Sequence, residues 1–465
     1  MKDLMASIMK TAAADIGSDD ERRAFNRNLL SMVIPLAFQN LMTAMVSASD
    51  ALMLGVLEQE ALSAVSLAGQ VTFVLNLCIT VLVQGTTMLA AQYWGKGDRD
   101  TVERILGLAM GYVAAVTAVF LAGTIILPER IMGLLTDESA LILRGAAYLQ
   151  IAGFSYIPLG ISQIYLCIMK TSGRTAKSTL VGSSSMVLNV GFNMIFIFGA
   201  FGIPALGIQG AAVATVLATC IQLVWTLFEA GRPGSIRIRA AYLLRVDRKI
   251  RKDFNHYTLP IVGNYFFWGG GVTIFSAIIG HLGNDAVAAN SLANIVKNTL
   301  ACVSKGLGTA GAILVGNELG KDHIQLAKRY AARSVQLAGI IGGVTCGLLL
   351  MLRPAILRFS NLSEQATGYL SGMLLICSYY MIAGAINNMA IGGIFCAGGK
   401  SRFGCICDGV VLWLIVMPLA LLAAFTLKLP VLVVYFILCL DECIKVPVVF
   451  WYYRRYTWAQ NLTRL

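Results

Sequence analysis

Charge is what this chain has least of. Only 13% of its 465 residues are Asp, Glu, Lys or Arg, where a soluble protein carries about a quarter. That deficit excludes a disordered chain, which is rich in charge and poor in apolar residues, and it argues against one or two soluble domains. Acids are the scarcer sign, 24 against 36 bases, which leaves a net charge of +12. There are three histidines, His256, His281 and His323, and they cannot fill a metal site alone. The eleven cysteines include no CxxC pair and no Cys/His cluster, and they read as small core hydrophobes. The chain has no GxSxG and no HExxH. Gly398-Gly399-Lys400-Ser401 resembles the end of a phosphate loop, but Ile394 stands where that loop needs its first Gly. No paired nucleophile and base presents itself, so an enzyme is not expected, and neither is a cofactor or a bound metal.

Apolar residues fill the space that charge leaves. They make up 57% of the chain, with a mean hydropathy of +0.73. Apolar runs of about 18 residues or more recur from end to end, each long enough to cross a bilayer as a helix. They fall near 29–53, 62–93, 104–127, 141–169, 178–200, 207–229, 256–281, 286–316, 328–352, 367–396, 402–426 and 430–453. The expectation is an all-α polytopic membrane protein of twelve spans. Residues 1–27 are polar and of mixed charge, without the basic-then-apolar order of a signal peptide. They read as a cytoplasmic tail, as do 454–465.

Positive charge collects in alternate loops. Loops after even spans hold Lys96, Arg99 and Arg104, then Lys170, Arg174 and Lys177, then Lys321, Lys328 and Arg329, and finally Lys400 and Arg402. The longest, Arg232–Asp253, has eight Arg or Lys against two Asp. Loops after odd spans are short or acidic, with Glu58 and Glu60 in one and Asp137 and Glu138 in another. Cytoplasmic loops carry the Lys/Arg excess, so both termini are expected inside a cell membrane. The basic surplus is then topological, and no nucleic-acid partner is implied.

The two halves match each other. Pro35 falls on Pro260, Gly55 on Gly280, Glu60-Ala61 on Asp285-Ala286, Ser66-Leu67-Ala68 on Ser291-Leu292-Ala293, and Gly95-Lys96 on Gly320-Lys321. One residue further on, Pro128 meets Pro354, Gly173-Arg174-Thr175 meets Gly399-Lys400-Ser401, and Pro204 meets Pro430. Six spans per half is an even number, so the repeats run in the same sense through the membrane, the parallel-repeat plan of secondary transporters. The expected organisation is an N-lobe at 28–230, a basic cytoplasmic linker at 231–253 and a C-lobe at 254–453, two six-helix bundles around a central cleft.

Ionisable groups inside spans are costly and mark pathways or coupling sites by default. Asp50 in the first span is the sharpest. Gln39 and Thr43 lie eleven and seven residues before it, on its helical face. The second span has Thr72, Asn76, Thr80 and Gln84 at four-residue spacing, and the fifth has Ser185, Asn189 and Asn193. Such stripes also serve as glue between helices, and both readings stand for the Ser and Thr members. The eighth span carries Asn290, Asn294, Lys297, Asn298 and Lys305. Asp408 lies in the eleventh, and Asp441, Glu442 and Lys445 in the twelfth. Glu442 and Lys445, three apart, could simply pair on one helix. The repeat places Phe275 opposite Asp50.

These residues resemble the multidrug and toxic compound extrusion (MATE) family over about 28–453. The resemblance rests on Pro35 with Asp50, on Gly55-Val56-Leu57 and Ala61-Leu62-Ser63-Ala64-Val65-Ser66-Leu67, and on Gln92-Tyr93-Trp94-Gly95-Lys96-Gly97-Asp98. It also rests on Leu188-Asn189 with Ile197-Phe198-Gly199, on Gly207-Ile208-Gln209-Gly210-Ala211-Ala212-Val213-Ala214-Thr215, and on the repeat itself. It implies an antiporter that exports bulky, often cationic drugs while H+ or Na+ enters, with Asp50 as the N-lobe ion carboxylate. Asn189, Asn193 and Thr215 would join it. A substrate cleft would draw on Gln39, Thr43, Asn76, Gln84, Asn264, Trp268, Asn294 and Lys297, and a C-lobe ion network on Asp408, Glu442 and Lys445. The chain departs from the family at three points. Asn193 stands where members with this site often have Asp, and Trp268 and Ala385 stand where some members carry acids in the seventh and tenth spans. An alternative within the wider superfamily is a flippase for a lipid-linked or anionic precursor, with Lys297 and Lys305 as the cationic groups. No extramembrane domain is evident to recruit a protein partner, so the partners expected are small molecules and the bilayer, around a functional monomer.

Overall fold

The computed structural model describes residues 19–57, 59–200, 202–244, 247–360 and 362–463, apart from the side chains of 19, 20, 48, 51, 55–57, 59 and 244. Residues 1–18 and 464–465 of the expected tails lie outside the described residues, as do Glu58 and the side chains of Gly55-Val56-Leu57. Among the described residues every regular element is helical. Twelve long helical elements follow in chain order: α1 Asp19–Leu57, α2 Gln59–Lys96, α3 Arg99–Ile126, α4 Ser139–Thr171, α5 Thr175–Phe198 and α6 Gly207–Gly231. Then come α7 Arg248–His281, α8 (Asn284–Leu300 and Cys302–Gly320), α9 Ile324–Phe359, α10 Glu364–Phe395, α11 Ser401–Thr426 and α12 (Val431–Leu438 and Leu440–Arg454).

Ten of these are long and apolar enough to cross a membrane, or eleven when the two parts of α8, which meet at 42°, count as one span. The exception is α12, which breaks at Cys439 and carries Asp441, Glu442 and Lys445 in its middle. Large apolar side chains such as Leu52, Phe266, Met351 and Phe359 are exposed on these helices, as lipid-facing positions are. Local signals fix several ends. Asp98 caps α3 by accepting from the Thr101 amide at 3.0 Å, and Ser363 caps α10 through Ala366 at 3.1 Å, each satisfying an orphan N–H. The repeat recurs in the turns. Gly173 after α4 and Gly399 after α10 have φ of +80° and +74°, a conformation in which only Gly is unstrained.

The chain packs as two compact units, cut differently from the expected lobes. An amino-terminal unit holds Leu41–Ala90 and Asp98–Asn255. A carboxy-terminal unit holds His256–Leu465 with Ala91–Gly97 and the described part of Met1–Asn40. Thus α1 and α2 each contribute to both units. Phe25, Leu29, Met32, Val33 and Leu36 of α1 join the core of the carboxy-terminal unit with Leu307, Ile313, Val335 and Phe395. The end of α2 meets the end of α8 through a repeat-related pair. A Cβ on Gly95 would lie 2.0 Å from the Asn317 carbonyl oxygen, and one on Gly320 would lie 1.8 Å from that of Gln92.

Two expected tails and the linker are docked structure. Residues 19–27 extend α1, with Phe25 buried beside Tyr330 and Asn26 accepting from Arg333 at 3.0 Å. After α12 the chain folds back with Trp458 fully buried. There Gln92 Nε2 donates to the Ala397 and Gln460 carbonyls at 2.7 and 3.2 Å, and its Oε1 accepts from the Leu462 amide at 2.6 Å. The linker forms a short helix, Ala240–Leu244, against α3. Tyr242 donates to Asp100 at 2.6 Å and Arg239 pairs with Glu103 at 2.6 Å.

Candidate functional site

Each unit holds one polar cluster built from inward-facing side chains. In the amino-terminal unit, α5 presents Ser185, Asn189 and Asn193 at four-residue intervals, one turn apart on one face. All three are buried, Asn193 to 2% exposure. Each reaches a different partner. Ser185 donates to the Ala218 carbonyl of α6 at 2.9 Å, Asn189 Nδ2 donates to Thr215 Oγ1 at 3.3 Å, and Asn193 Nδ2 donates to Asp50 Oδ1 at 2.7 Å. Asn193 also approaches Asn189 Oδ1 at 3.4 Å. Asp50, Asn193, Asn189 and Thr215 therefore form one chain of polar groups linking α1, α5 and α6. Its far end is fixed by Thr215, whose hydroxyl donates to the Ala211 carbonyl at 3.0 Å. One turn beyond Asp50, Met53 and Leu54 pack with Ile197 and Ala211 in an apolar cluster. Among the described residues Asn193 Oδ1 is buried without a hydrogen-bond partner, an acceptor left open beside a carboxylate.

In the carboxy-terminal unit the cluster is ionic. Lys445 Nζ lies 2.7 Å from Glu442 Oε1, 3.0 Å from Asp408 Oδ1 and 3.5 Å from Asp441 Oδ2. Two asparagines hold the outer oxygens. Asn387 Nδ2 donates to Glu442 Oε2 at 2.7 Å, and Asn264 Nδ2 donates to Asp408 Oδ2. Asp408, Asp441, Lys445 and Asn387 are all buried. The helices lose regularity here. The π-helical stretch Asn388–Phe395 follows Asn387, another at Gly409–Val416 follows Asp408, and the break in α12 at Cys439 precedes Asp441. π-Bulges of this kind recur at functional sites. The network thus unites Asp408, Glu442 and Lys445 with Asn264, which sequence reasoning had assigned to a substrate cleft. It also adds Asp441 and Asn387. Asp441 was visible in the sequence, whereas nothing in the apolar run around Asn387 singled it out.

The remaining residues expected in a substrate cleft belong to both units. Gln39 is buried in the carboxy-terminal unit, and Thr43 in the amino-terminal unit meets Met186 Sδ at 3.7 Å. Asn76 is exposed on α2, with its carbonyl accepting from Thr80, and Gln84 is half-buried two turns on. Trp268 is 42% exposed. Asn294 bonds Asn290 at 3.2 Å, and Lys297 sits 5.0 Å from the centre of the Tyr380 ring. Ala385 is buried and apolar. Among the described residues no group of His, Cys, Asp and Glu is arranged to hold a metal ion.

Two apolar six-helix repeats, with a carboxylate held by buried polar groups in one unit and a buried ion network in the other, suit a membrane carrier, and comparison with known proteins decides which kind. The MatE family profile matches residues 35–195 and 260–422. The chain belongs to the MatE family. The two matches begin at Pro35 and Pro260, the prolines that open the internal repeat. An uncharacterized transporter, YisQ of Bacillus subtilis (strain 168), is 20% identical over 439 residues, 93% of this chain and 95% of that one. Multidrug resistance protein PmpM of Pseudomonas aeruginosa is 24% identical over 378 residues, 80% of this chain and 78% of that one. The fold is shared with solved transporters. The Vibrio cholerae MATE transporter VcmN in its bent form superposes with a TM-score of 0.84 at 17% identity, covering 94% of this chain and 98% of that one. A MOP superfamily transporter from Pyrococcus furiosus superposes with a TM-score of 0.85 at 15% identity, over 94% and 96%. The protein described here is a polytopic MatE membrane transporter.

Proposed function

We propose that this transporter is a cation-coupled antiporter that exports bulky, cationic drugs or toxic compounds across the cell membrane by alternating access, with both termini in the cytoplasm. Asp50 is the coupling carboxylate, with Asn189, Asn193 and Thr215 as its companions, and H+ or Na+ is the driving ion. The protein works as a monomer without a bound cofactor. One observation carries the reading: a carboxylate inside a span accepts from a buried asparagine whose own oxygen has no donor among the described residues. Carboxylates at such depth are expensive, and transporters keep them as relays. An open acceptor beside one is filled naturally by a proton on the carboxyl or by a metal cation. The name of PmpM, a multidrug resistance protein, supports the substrate class.

The test is flux of a lipophilic cationic dye in proteoliposomes, with a pH gradient and a sodium gradient imposed in separate runs. Dye movement driven by one of them, and reduced to background in Asp50→Asn at unchanged expression, is the expected result. Retained flux in Asp50→Asn overturns the assignment. No flux under either gradient moves the reading to a lipid-linked or anionic precursor, with Lys297 as the cationic group in its path.

A further inference from the structure

The ionic cluster of the carboxy-terminal unit has more negative charge than its own lysine can balance. Asp408, Asp441 and Glu442 surround Lys445, and among the described residues the other cation in electrostatic reach is Lys297 of α8. Among the described residues, Tyr379 and Tyr380 on a neighbouring helix and Cys439 and Cys443 on its own face Asp441, while Cys405 and Cys407 face Asp408. Thiols and phenols carry no charge near neutral pH. Three carboxylates thus face two lysines about midway along α12, where an unbalanced charge is most costly. The excess is one negative charge.

A second observation indicates what balances it. Asn387 is 3% exposed, and its Nδ2 is committed to Glu442 while its Oδ1 has no partner among the described residues. A buried acceptor without a donor is a standing cost, and here it belongs to the side chain that holds the Glu442 carboxylate. The ligand must therefore bring either a hydrogen-bond donor or a positive charge. Among the described residues no group of His, Cys, Asp and Glu is arranged to hold a metal ion, and the Lys445 ammonium already takes one oxygen of each carboxylate at 2.7–3.5 Å. A proton fits.

We propose that the Asp408–Asp441–Glu442–Lys445 cluster is a proton-binding site of the carboxy-terminal unit, with Asp441 as the carboxyl that gains and loses the proton. Its neighbours are already provided for, since Glu442 and Asp408 each have a short lysine contact and an asparagine donor. Asp441 has the longest lysine contact, 3.5 Å, and a backbone amide. A proton taken from water onto an Asp441 oxygen leaves two carboxylates facing two lysines. Its release leaves three, and the new carboxylate competes for the Lys445 ammonium. That competition pulls on Glu442 and Asp408, and through them on Asn387 in α10 and on α11, at the points where those helices turn π-helical. The proposal rests on the cation-coupled reading only for the use made of this proton, because binding itself is separable from transport.

The test is pH-difference infrared spectroscopy of the purified, reconstituted full-length transporter, reading the carbonyl stretch of neutral carboxyl groups. Wild type is expected to show titrating carboxyl bands. Asp50→Asn should remove one component and Asp441→Asn a different one of similar size, with sodium leaving the second unchanged. Where Asp441→Asn does not fold, Asp441→Glu serves, and it should move the frequency and midpoint of that component. Bands unchanged in both Asp441 variants overturn the proposal, as does displacement of the Asp441 component by sodium. Dye flux in Asp50→Asn is scored separately, so failure of the coupling assignment and failure of this site are told apart.

Discussion

The two units solve the same problem with opposite chemistry. In the amino-terminal unit a single carboxylate, Asp50, is held by the neutral chain Asn193, Asn189 and Thr215. In the carboxy-terminal unit three carboxylates crowd one lysine. Yet corresponding helices carry them. The first cluster uses α1, α5 and α6, and the second uses their repeat partners α7, α11 and α12, with α10 added. At the spacing that sets Pro204 on Pro430, Thr215 falls on Asp441 and Thr219 on Lys445, and at the spacing of Pro35 and Pro260, Gln39 falls on Asn264. Duplication preserved the corner where three helices meet and moved the charge within it, from the first helix of one repeat to the fifth and sixth of the other. A neutral cage lets one carboxylate change charge with little rearrangement, whereas an ion network ties each change to the lysine that holds the others.

The largest test of that contrast is Lys445→Met. Removing one partner of a buried ion network costs about 3–5 kcal/mol, so this variant should melt far below wild type in detergent. Asp50→Asn substitutes an isostere that can still meet Asn193, and it should melt close to wild type while losing flux. A Lys445→Met protein as stable as wild type would break the comparison, because it would mean the three acids are already neutral without the lysine.

Hydropathy made the helices legible, and glycine and proline at a fixed spacing made the repeat legible, because both signals are summed over many residues. What it missed depended on tertiary partners. Residues 19–27 read as a solvated tail because Asp, Glu and Arg dominate them, yet Phe25 anchors that stretch against Tyr330. Trp458 was one aromatic in a polar run, and its burial depends on Gln92, more than 360 residues away, to hold the chain that follows. The division of α1 and α2 between units follows from packing, which no local pattern announces. At the candidate sites, Asp50 stood out because it is a lone acid in an apolar run. The pairing of Asn193 with Asp50 and of Lys445 with Asp408 required knowing which helices adjoin. The π-helical stretches around the second cluster leave no trace in an apolar run of uniform character.

Asn193→Leu tests the neutral cage at a smaller scale. It removes the 2.7 Å donor to Asp50 and leaves a half-buried carboxyl short of a partner, at about 1 kcal/mol. The cost should appear as a lower melting temperature that Asp50→Asn in the same chain partly restores, since the interaction is then already lost. Strict additivity of the two changes would show that Asn193 does not hold Asp50.

The smallest expected effect is the most discriminating between driving ions. Thr215→Val keeps the shape of the side chain and deletes a hydroxyl that accepts one long bond, 3.3 Å from Asn189, and donates one to its own helix at 3.0 Å. Net loss of such a neutral hydrogen bond is about 0.5–1.5 kcal/mol, so stability should barely move. A proton needs only the Asp50 carboxyl, and a proton-driven transporter should keep most of its flux in this variant. Sodium needs several oxygen ligands, and Thr215 Oγ1 is one of few neutral oxygens beside the Asn189–Asn193 pair, so a sodium-driven transporter should lose flux along with Asp50→Asn. Flux kept under a pH gradient would fix Asp50 as the proton group, with Thr215, the sequence-repeat partner of Asp441, a neutral companion.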